Sequence, residues 1–187
     1  RRPLAILWYQ LDVSWGFDTI NHGVFFKRLQ DRYGIGGTVL KWFMSYLKDR
    51  SQAVVIDKVT SDSFPLPWGT PQGSVKGPLD FIMYTGPLSD VISAHKGIQH
   101  IIYADDTQVY LVMKSSEQLD VVKKLAECVV DVRAWAIANK LMLNDQKTEI
   151  LHFHSQHRNT STLPDFCIGD AKITASNSAK DLRVVLD

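Results

Sequence analysis

Tyr103-Ala104-Asp105-Asp106 sets two adjacent carboxylates between the apolar runs His100-Ile101-Ile102-Tyr103 and Val109-Tyr110-Leu111-Val112. Runs of this length, rich in β-branched and aromatic residues, form strands. The polar tetrad Asp105-Asp106-Thr107-Gln108 between them reads as a tight connection. The expectation is a hairpin with two negative charges at its tip. Carboxylates that close repel and raise each other's pKa unless something positive sits beside them. A divalent cation is the usual answer, because Mg²⁺ takes one or two carboxylates together with substrate phosphates. An isolated Asp-Asp pair is more often a solvated turn. Tyr103 and the apolar flanks weigh against that reading here.

A second acidic position makes metal chemistry credible. Leu4-Ala5-Ile6-Leu7-Trp8-Tyr9-Gln10-Leu11 is a nearly unbroken apolar run, read as a central strand with Asp12 at its far end. An Asp ending one strand meets an Asp pair at a hairpin tip when the strands are neighbours in one sheet. Asp12, Asp105 and Asp106 together would hold two Mg²⁺ ions roughly 3.5–4 Å apart, an arrangement suited to in-line phosphoryl displacement. Mn²⁺ accepts the same oxygen donors. Asp18 reads as a helix N-cap before Thr19-Ile20.

At this point the residues resemble a family. Leu11-Asp12-Val13-Ser14-Trp15-Gly16-Phe17-Asp18-Thr19, then Gly69-Thr70-Pro71-Gln72-Gly73-Ser74, then Tyr103-Ala104-Asp105-Asp106 stand in the order expected of a reverse transcriptase. Leu141-Met142-Leu143-Asn144-Asp145-Gln146-Lys147-Thr148-Glu149 is similar to the Asn-x-x-Lys-Thr element of the non-LTR (LINE-type) retrotransposon branch. One such motif is weak evidence; the ordered set is strong. The resemblance runs from about Leu4 to Asp187. It implies an α+β polymerase palm, an antiparallel sheet with helices packed on one face. It implies an RNA-directed DNA polymerase that uses two Mg²⁺ ions, an RNA template, a DNA primer and dNTPs. It implies an intracellular protein of nucleus and cytoplasm.

The resemblance also assigns substrate residues, each with a plainer reading beside it. Gln72 and Gly73 fall in the loop that meets template and dNTP; a Pro-Gly turn is the alternative. Glycine there permits close backbone approach. Phe17, five residues after Asp12, stands where a bulky aromatic excludes a 2′-hydroxyl; core packing is the alternative. Tyr103 joins the substrate-binding set beside the Asp pair. Lys147 resembles the lysine that meets the leaving pyrophosphate as general acid or charge stabiliser. A solvated surface lysine is the alternative.

The chain departs from the family at four positions. Trp15 adds bulk where small residues are usual. Lys76 and Asp80 stand in place of aliphatic residues, and Arg183 in place of glycine. A charge in a core position without a partner is costly. Lys76 and Asp80 are four apart and can pair on a helix end. These departures keep two alternatives open: a diverged, inactive palm serving as a nucleic-acid-binding or structural module, and a group II intron maturase-like enzyme with the same Tyr-Ala-Asp-Asp signature.

Composition bounds the rest. At 187 residues one palm region is expected, with about 1–154 as its core and 155–187 as a late hairpin towards the thumb; fingers and thumb are expected to lie largely outside it. A net charge of +1 gives no global basic field for a polyanion. Cys128 and Cys167 give no disulfide framework. The first apolar run is too short to span a membrane and carries no cleavage pattern.

Helices are expected from Asn21 to Tyr33, ended by Gly34, and after a Thr38 cap with Val39, Trp42, Phe43, Tyr46 and Leu47 on one face. A hairpin turns at Asp57-Lys58, and Pro65 to Gly77 reads as a loop. A helical stretch from Leu79 to Ala94 breaks at Pro87. Glu117 to Asn139 is the longest helix, Thr148 to Phe153 a strand, and Asp165 to Thr174 a hairpin. Lys123, Lys124, Arg133 and Lys140 read as a wet helix face. No carboxylate or cysteine completes a zinc set with His152, His154 and His157. The five tryptophans read as core.

Overall fold

The computed structural model describes residues 4–14, 16–144, 148–153, 166–168, 171–173, 179–181 and 184–186. By its internal contacts the chain divides into two compact units: residues 1–14, 87–138 and 142–187 form the first, residues 15–86 and 139–141 the second.

The first unit is built on β1 (Leu4–Ser14). Its centre is buried on both faces: Leu7, Trp8, Tyr9 and Leu11 are each no more than 5% exposed. An almost continuous apolar run is what such a strand needs. The chain then forms α4 (Leu88–Ser93), β6 (Gln99–Tyr103), β7 (Asp106–Lys114), a 3₁₀ turn, α5 (Gln118–Ala138), β8 (Met142–Leu143) and β9 (Glu149–Phe153). All sheet pairings are antiparallel, in the order β6-β7-β1, with β8 and β9 sharing the far edge of β1. The hairpins β10–β11 (Phe166–Ile168, Ala171–Ile173) and β12–β13 (Ala179–Asp181, Val184–Leu186) follow. The first of them falls within the hairpin expected from Asp165 to Thr174.

Alternation along β1 separates the two sheet faces. Ala5, Leu7, Tyr9 and Leu11, with Val109, Leu111, Met113 and Ile150 from the neighbouring strands, pack under α4 and α5 in one core. Each fully buried aliphatic side chain there contributes about 1.5–3 kcal/mol. On the other face Trp8 and Leu151 form a smaller cluster with Tyr110 and Phe153. The face that carries Trp8 is therefore the face of Gln10 and Asp12.

α5 meets the core through Val121, Val122, Leu125, Cys128, Val129, Val132 and Ala136, a helical stripe. Lys123 and Lys124 are exposed as expected, but Arg133 is half-buried and leaves the wet face. Its long aliphatic stem lets it cover apolar surface.

The second unit begins with α1 (His22–Asp31) and α2 (Gly37–Leu47). Asn21 caps α1, its side chain accepting from Val24 N at 3.0 Å. The N-cap of α2 is Gly36, not Thr38, and Gly37 at φ +56 opens that helix. Of the expected α2 face only Phe43 and Leu47 are buried; Val39 and Trp42 are more than half exposed. Trp68 is exposed too, so the tryptophans are not uniformly core. Two small hairpin pairs follow: β2 (Ser51–Gln52) with β5 (Phe64–Pro65), and β3 (Val55–Ile56) with β4 (Val59–Thr60). Asp57 and Lys58 both take positive φ at the inner turn, as a two-residue I′ hairpin requires. α3 (Gly77–Thr85) closes the unit, and Pro87 separates it in sequence from α4. Arg28, above the Tyr84 ring at 4.9 Å, donates to the Tyr84 carbonyl and to Asn139 Oδ1, while the Tyr84 hydroxyl donates to the Asn139 carbonyl. This set ties residues 139–141 to α1 and α3. Among the described residues no helix is long and apolar enough to cross a membrane.

Cys128 is fully buried, and burial, with Asp131 nearby, pushes its thiol up to about 12. The neutral thiol thus stabilises the fold below an unfolded value of 9.0, and that contribution fades as pH rises towards 12. In a Cys167→Ser background, Cys128 should resist a thiol reagent at mildly alkaline pH and react rapidly in denaturant. Fast labelling under native conditions would show that α5 does not pack this thiol into the core.

Candidate active site

Asp12 lies within β1, two residues before its end, directly opposite Asp106 in the β1–β7 register. Cross-strand partners hold their Cβ atoms about 4.5–5.5 Å apart on the same face. The two carboxylates therefore share the sheet face turned away from the α4–α5 core. Asp12 is only 5% exposed. Gln10, two residues earlier on that face, donates from Nε2 to Asp106 Oδ1 at 3.3 Å.

The connection is tighter than the sequence suggested. β6 ends at Tyr103 and β7 starts at Asp106, so only Ala104 and Asp105 form the turn. Thr107 and Gln108 are buried strand residues rather than part of a polar loop. Ala104 has φ +53. A positive φ at the first of two central residues is the II′ pattern, which glycine adopts without strain and alanine does not. Backbone strain of this kind concentrates at functional sites. Asp105 is exposed at the tip and Tyr103 is 63% exposed opposite Asp106.

Two carboxylates on one face suit a hard cation that also binds substrate oxygens. Asp12 and Asp106 supply that donor set, with Asp105 adjacent. Among the described residues no three acidic, histidine or cysteine side chains converge as a ready-made metal cage. The structure thus brings two of the three expected carboxylates together and leaves the third exposed beside them. The Asn144–Thr148 segment starts at this site. Asn144 N donates to the Asp12 carbonyl at 2.9 Å, and Thr148 Oγ1 donates to the Asn144 carbonyl at 3.1 Å. Lys147 lies outside the described residues, as do Trp15, His154, His157 and Arg183.

The other expected residues belong to the second unit. Gln72 is exposed, and its Nε2 donates to both carboxylate oxygens of Asp18, at 3.2 and 3.0 Å. Asp18 is therefore a loop-holding residue and not the helix cap expected from sequence, a role that Asn21 takes. Gly73 adopts φ +76, a conformation that favours a residue without Cβ in the Pro71–Ser74 turn. Phe17 is half-buried and stacks on Phe81 with ring centroids 5.3 Å apart.

Comparison with known proteins decides the class. A family model described as "Reverse transcriptase (RNA-dependent DNA polymerase)" matches residues 2–179. The chain belongs to the reverse transcriptase family.

Its relatives among mobile elements place it on the non-LTR, LINE-type branch. It is 28% identical over 180 residues to a probable RNA-directed DNA polymerase from transposon X-element, and 27% identical over 184 residues to the RNA-directed DNA polymerase from mobile element jockey, both of Drosophila melanogaster. Each match covers 95% of this chain and 19% of the relative, so the chain spans about a fifth of the length of these polymerases. Two telomerase structures share the fold. The apo enzyme of Candida tropicalis, truncated from its C-terminal domain, aligns with a TM-score of 0.61 at 13% identity, over 83% of this chain and 32% of that one. The Candida albicans enzyme, complexed with a fragment of telomeric RNA, aligns at 0.59 and 12% identity, over 91% and 29%. The α+β reverse transcriptase palm is thus the architecture of this chain.

Within this member of the reverse transcriptase family Lys76 and Asp80 form one compensated device. Lys76 Nζ sits 3.3 Å from Asp80 Oδ1 and within 3.9–4.8 Å of the ring centroids of Phe43, Tyr46 and Trp42. Thr70 Oγ1 donates to Asp80 Oδ2 at 3.0 Å. Sequence spacing exposes the ion pair; the aromatic cage comes from α2, which no local pattern links to Lys76. Burial is the leading influence on both charges: it pushes Lys76 down and Asp80 up, and each partner opposes that shift. Removing one partner leaves a desolvated charge, at a cost of about 3–5 kcal/mol. Lys76→Leu or Asp80→Leu alone should lower stability on that scale in denaturant melts of the full-length polypeptide. The double variant should lose much less than the sum, and strictly additive losses would contradict a coupled pair.

Proposed function

We propose that this segment is the palm of an RNA-directed DNA polymerase of a non-LTR retrotransposon. The observation that carries the reading is the register of Asp12 against Asp106, on the sheet face opposite the helical core, with Asp105 at the adjoining tip. In this reading the primer 3′-hydroxyl attacks the α-phosphorus of a dNTP paired with an RNA template, and pyrophosphate leaves. Asp12, Asp105 and Asp106 would hold divalent ions, Mg²⁺ or Mn²⁺. Those ions supply charge neutralisation for the attacking hydroxyl and the triphosphate.

The chain's own residues fix where that chemistry takes place. The β1–β7 ladder holds Asp12 and Asp106, and Gln10 orients the Asp106 carboxylate. Tyr103, exposed beside them, offers a contact surface to primer or nucleotide. Gln72 and Gly73 would meet the template–nucleotide pair, with Asp18 fixing the Gln72 amide. Phe17, braced by Phe81, would wall off a 2′-hydroxyl. Lys147 would donate to the leaving pyrophosphate. Residues 1–154 would form the palm core and 155–187 lead towards the thumb. The mobile-element relatives favour this reading over a maturase. The exposure of Asp105 apart from its two partners is what favours an inactive palm, and one experiment separates the two.

In the full-length polypeptide, Asp105→Asn should lower Mg²⁺-dependent primer extension by at least about a hundredfold, the scale set by losing one electrostatic contact to developing charge. Undiminished extension would place catalysis elsewhere. Phe17→Ala should raise ribonucleotide use relative to deoxynucleotide use by about tenfold or more in single-nucleotide assays. An unchanged ratio would leave Phe17 as packing against Phe81.

A further inference from the structure

Trp68 lines a cavity of about 510 Å³ with Asp18, Arg50, Gln52 and Gln72. That volume lies in the range of small-ligand sites. The indole is 57% exposed, yet the backbone at residues 68–70 is tied by several hydrogen bonds. Trp68 forms a β-bridge with Asn21. Gly69 N donates to the Ile20 carbonyl and Thr70 N to the Phe17 carbonyl, both at 2.8 Å. The Gly69 carbonyl accepts from Arg50 Nη1 and from His22 Nε2, again at 2.8 Å each. Gly69 has φ +81, and a Cβ there would lie 3.0 Å from the Asp18 carbonyl oxygen. A large, exposed aromatic side chain thus stands on a backbone pinned at Gly69 and Thr70.

The polar lining says what kind of surface would cover it. Arg50 and Asp18 bring opposite charges to one cavity, so the lining carries no net charge to select a phosphate. Gln52 is exposed, and the Asp18–Gln72 pair adds acceptors and an amide. An aromatic plate beside paired donors and acceptors suits a flat, neutral ligand with a hydrogen-bonding edge. Every nucleobase has such a face and such an edge.

We infer that Trp68 is a stacking platform for one unpaired nucleobase of a single-stranded nucleic acid, with Gln52 and the Asp18–Gln72 pair facing the base edge. The inference rests on the polymerase reading for the presence of such a strand. It adds Trp68 and Gln52 to the template contact already proposed for Gln72.

The test uses the full-length polypeptide with two labelled probes, a short single-stranded oligo(rA) and a blunt duplex of equal length. Trp68→Ala and Trp68→Leu should weaken single-strand binding by about 10- to 100-fold, the range of one lost base–aromatic stack. Trp68→Phe should stay close to wild type, and duplex binding should not change in any variant. Wild-type affinity in Trp68→Ala would overturn the inference. So would full binding by Trp68→Leu, which would show that an apolar side chain suffices and that no ring stacks on a base. Parallel loss on both probes across the series would assign Trp68 to folding and overturn it as well. Asp105→Asn separates this site from the polymerase reading. That variant should lose extension and keep single-strand affinity. Persistent extension with Trp68-dependent binding would fault only the assignment of catalysis to the Asp105 carboxylate. Lost extension with Trp68-independent binding would fault only the stacking site.

Discussion

The register of β1 against β7 is the constraint on which the rest depends. A one-residue slip in an antiparallel pair moves every side chain to the opposite face. Here a slip would drive Leu7, Tyr9 and Leu11 out of the α4–α5 core and turn Asp12 into it. Leu7 opposite Leu111 and Tyr9 opposite Val109 forbid this, because all four are buried against the helices. The same alignment sets Asp12 opposite Asp106. The carboxylates are thus positioned by apolar packing on the far side of the sheet, a rigid placement that costs the site no mobile loop.

The second unit shows how a charge is accommodated where the resemblance led to an aliphatic residue being expected. Lys76 is surrounded by three rings and paired with a fully buried Asp80, which Thr70 also satisfies. Cation–π attraction strengthens as water is excluded. The two substitutions therefore read as one exchange, an aliphatic contact for a polar one. They favour the diverged, inactive alternative less than two independent buried charges would.

Long periodic elements are legible in the amino-acid sequence: β1, α5, the Asp57-Lys58 hairpin and the Pro87 break follow from apolar period and turn chemistry. Sequence and fold part where local rules compete. Asp18 and Asn21 are both good caps; the helix starts after Asn21, and Asp18 instead accepts from Gln72, a residue more than fifty positions away. Thr107 and Gln108 look like loop residues, but their burial comes from pairing with β1. Trp42 and Trp68 are hydrophobic by type, and only the fold shows that they face outward. The acidic residues of the site are legible because two strands carry them in register. The cage around Lys76 is not, because its rings come from a separate helix.

Binding of Mn²⁺ alone tests the carboxylate pairing most directly, read by electron paramagnetic resonance on the full-length polypeptide. Replacing Asp12 or Asp106 with Asn should weaken the same bound population. Losing a ligand should cost at least the roughly tenfold in affinity that losing an outer-shell partner does. Mn²⁺ affinity that is identical in wild type, Asp12→Asn and Asp106→Asn would contradict the claim that the β1–β7 register builds the metal site.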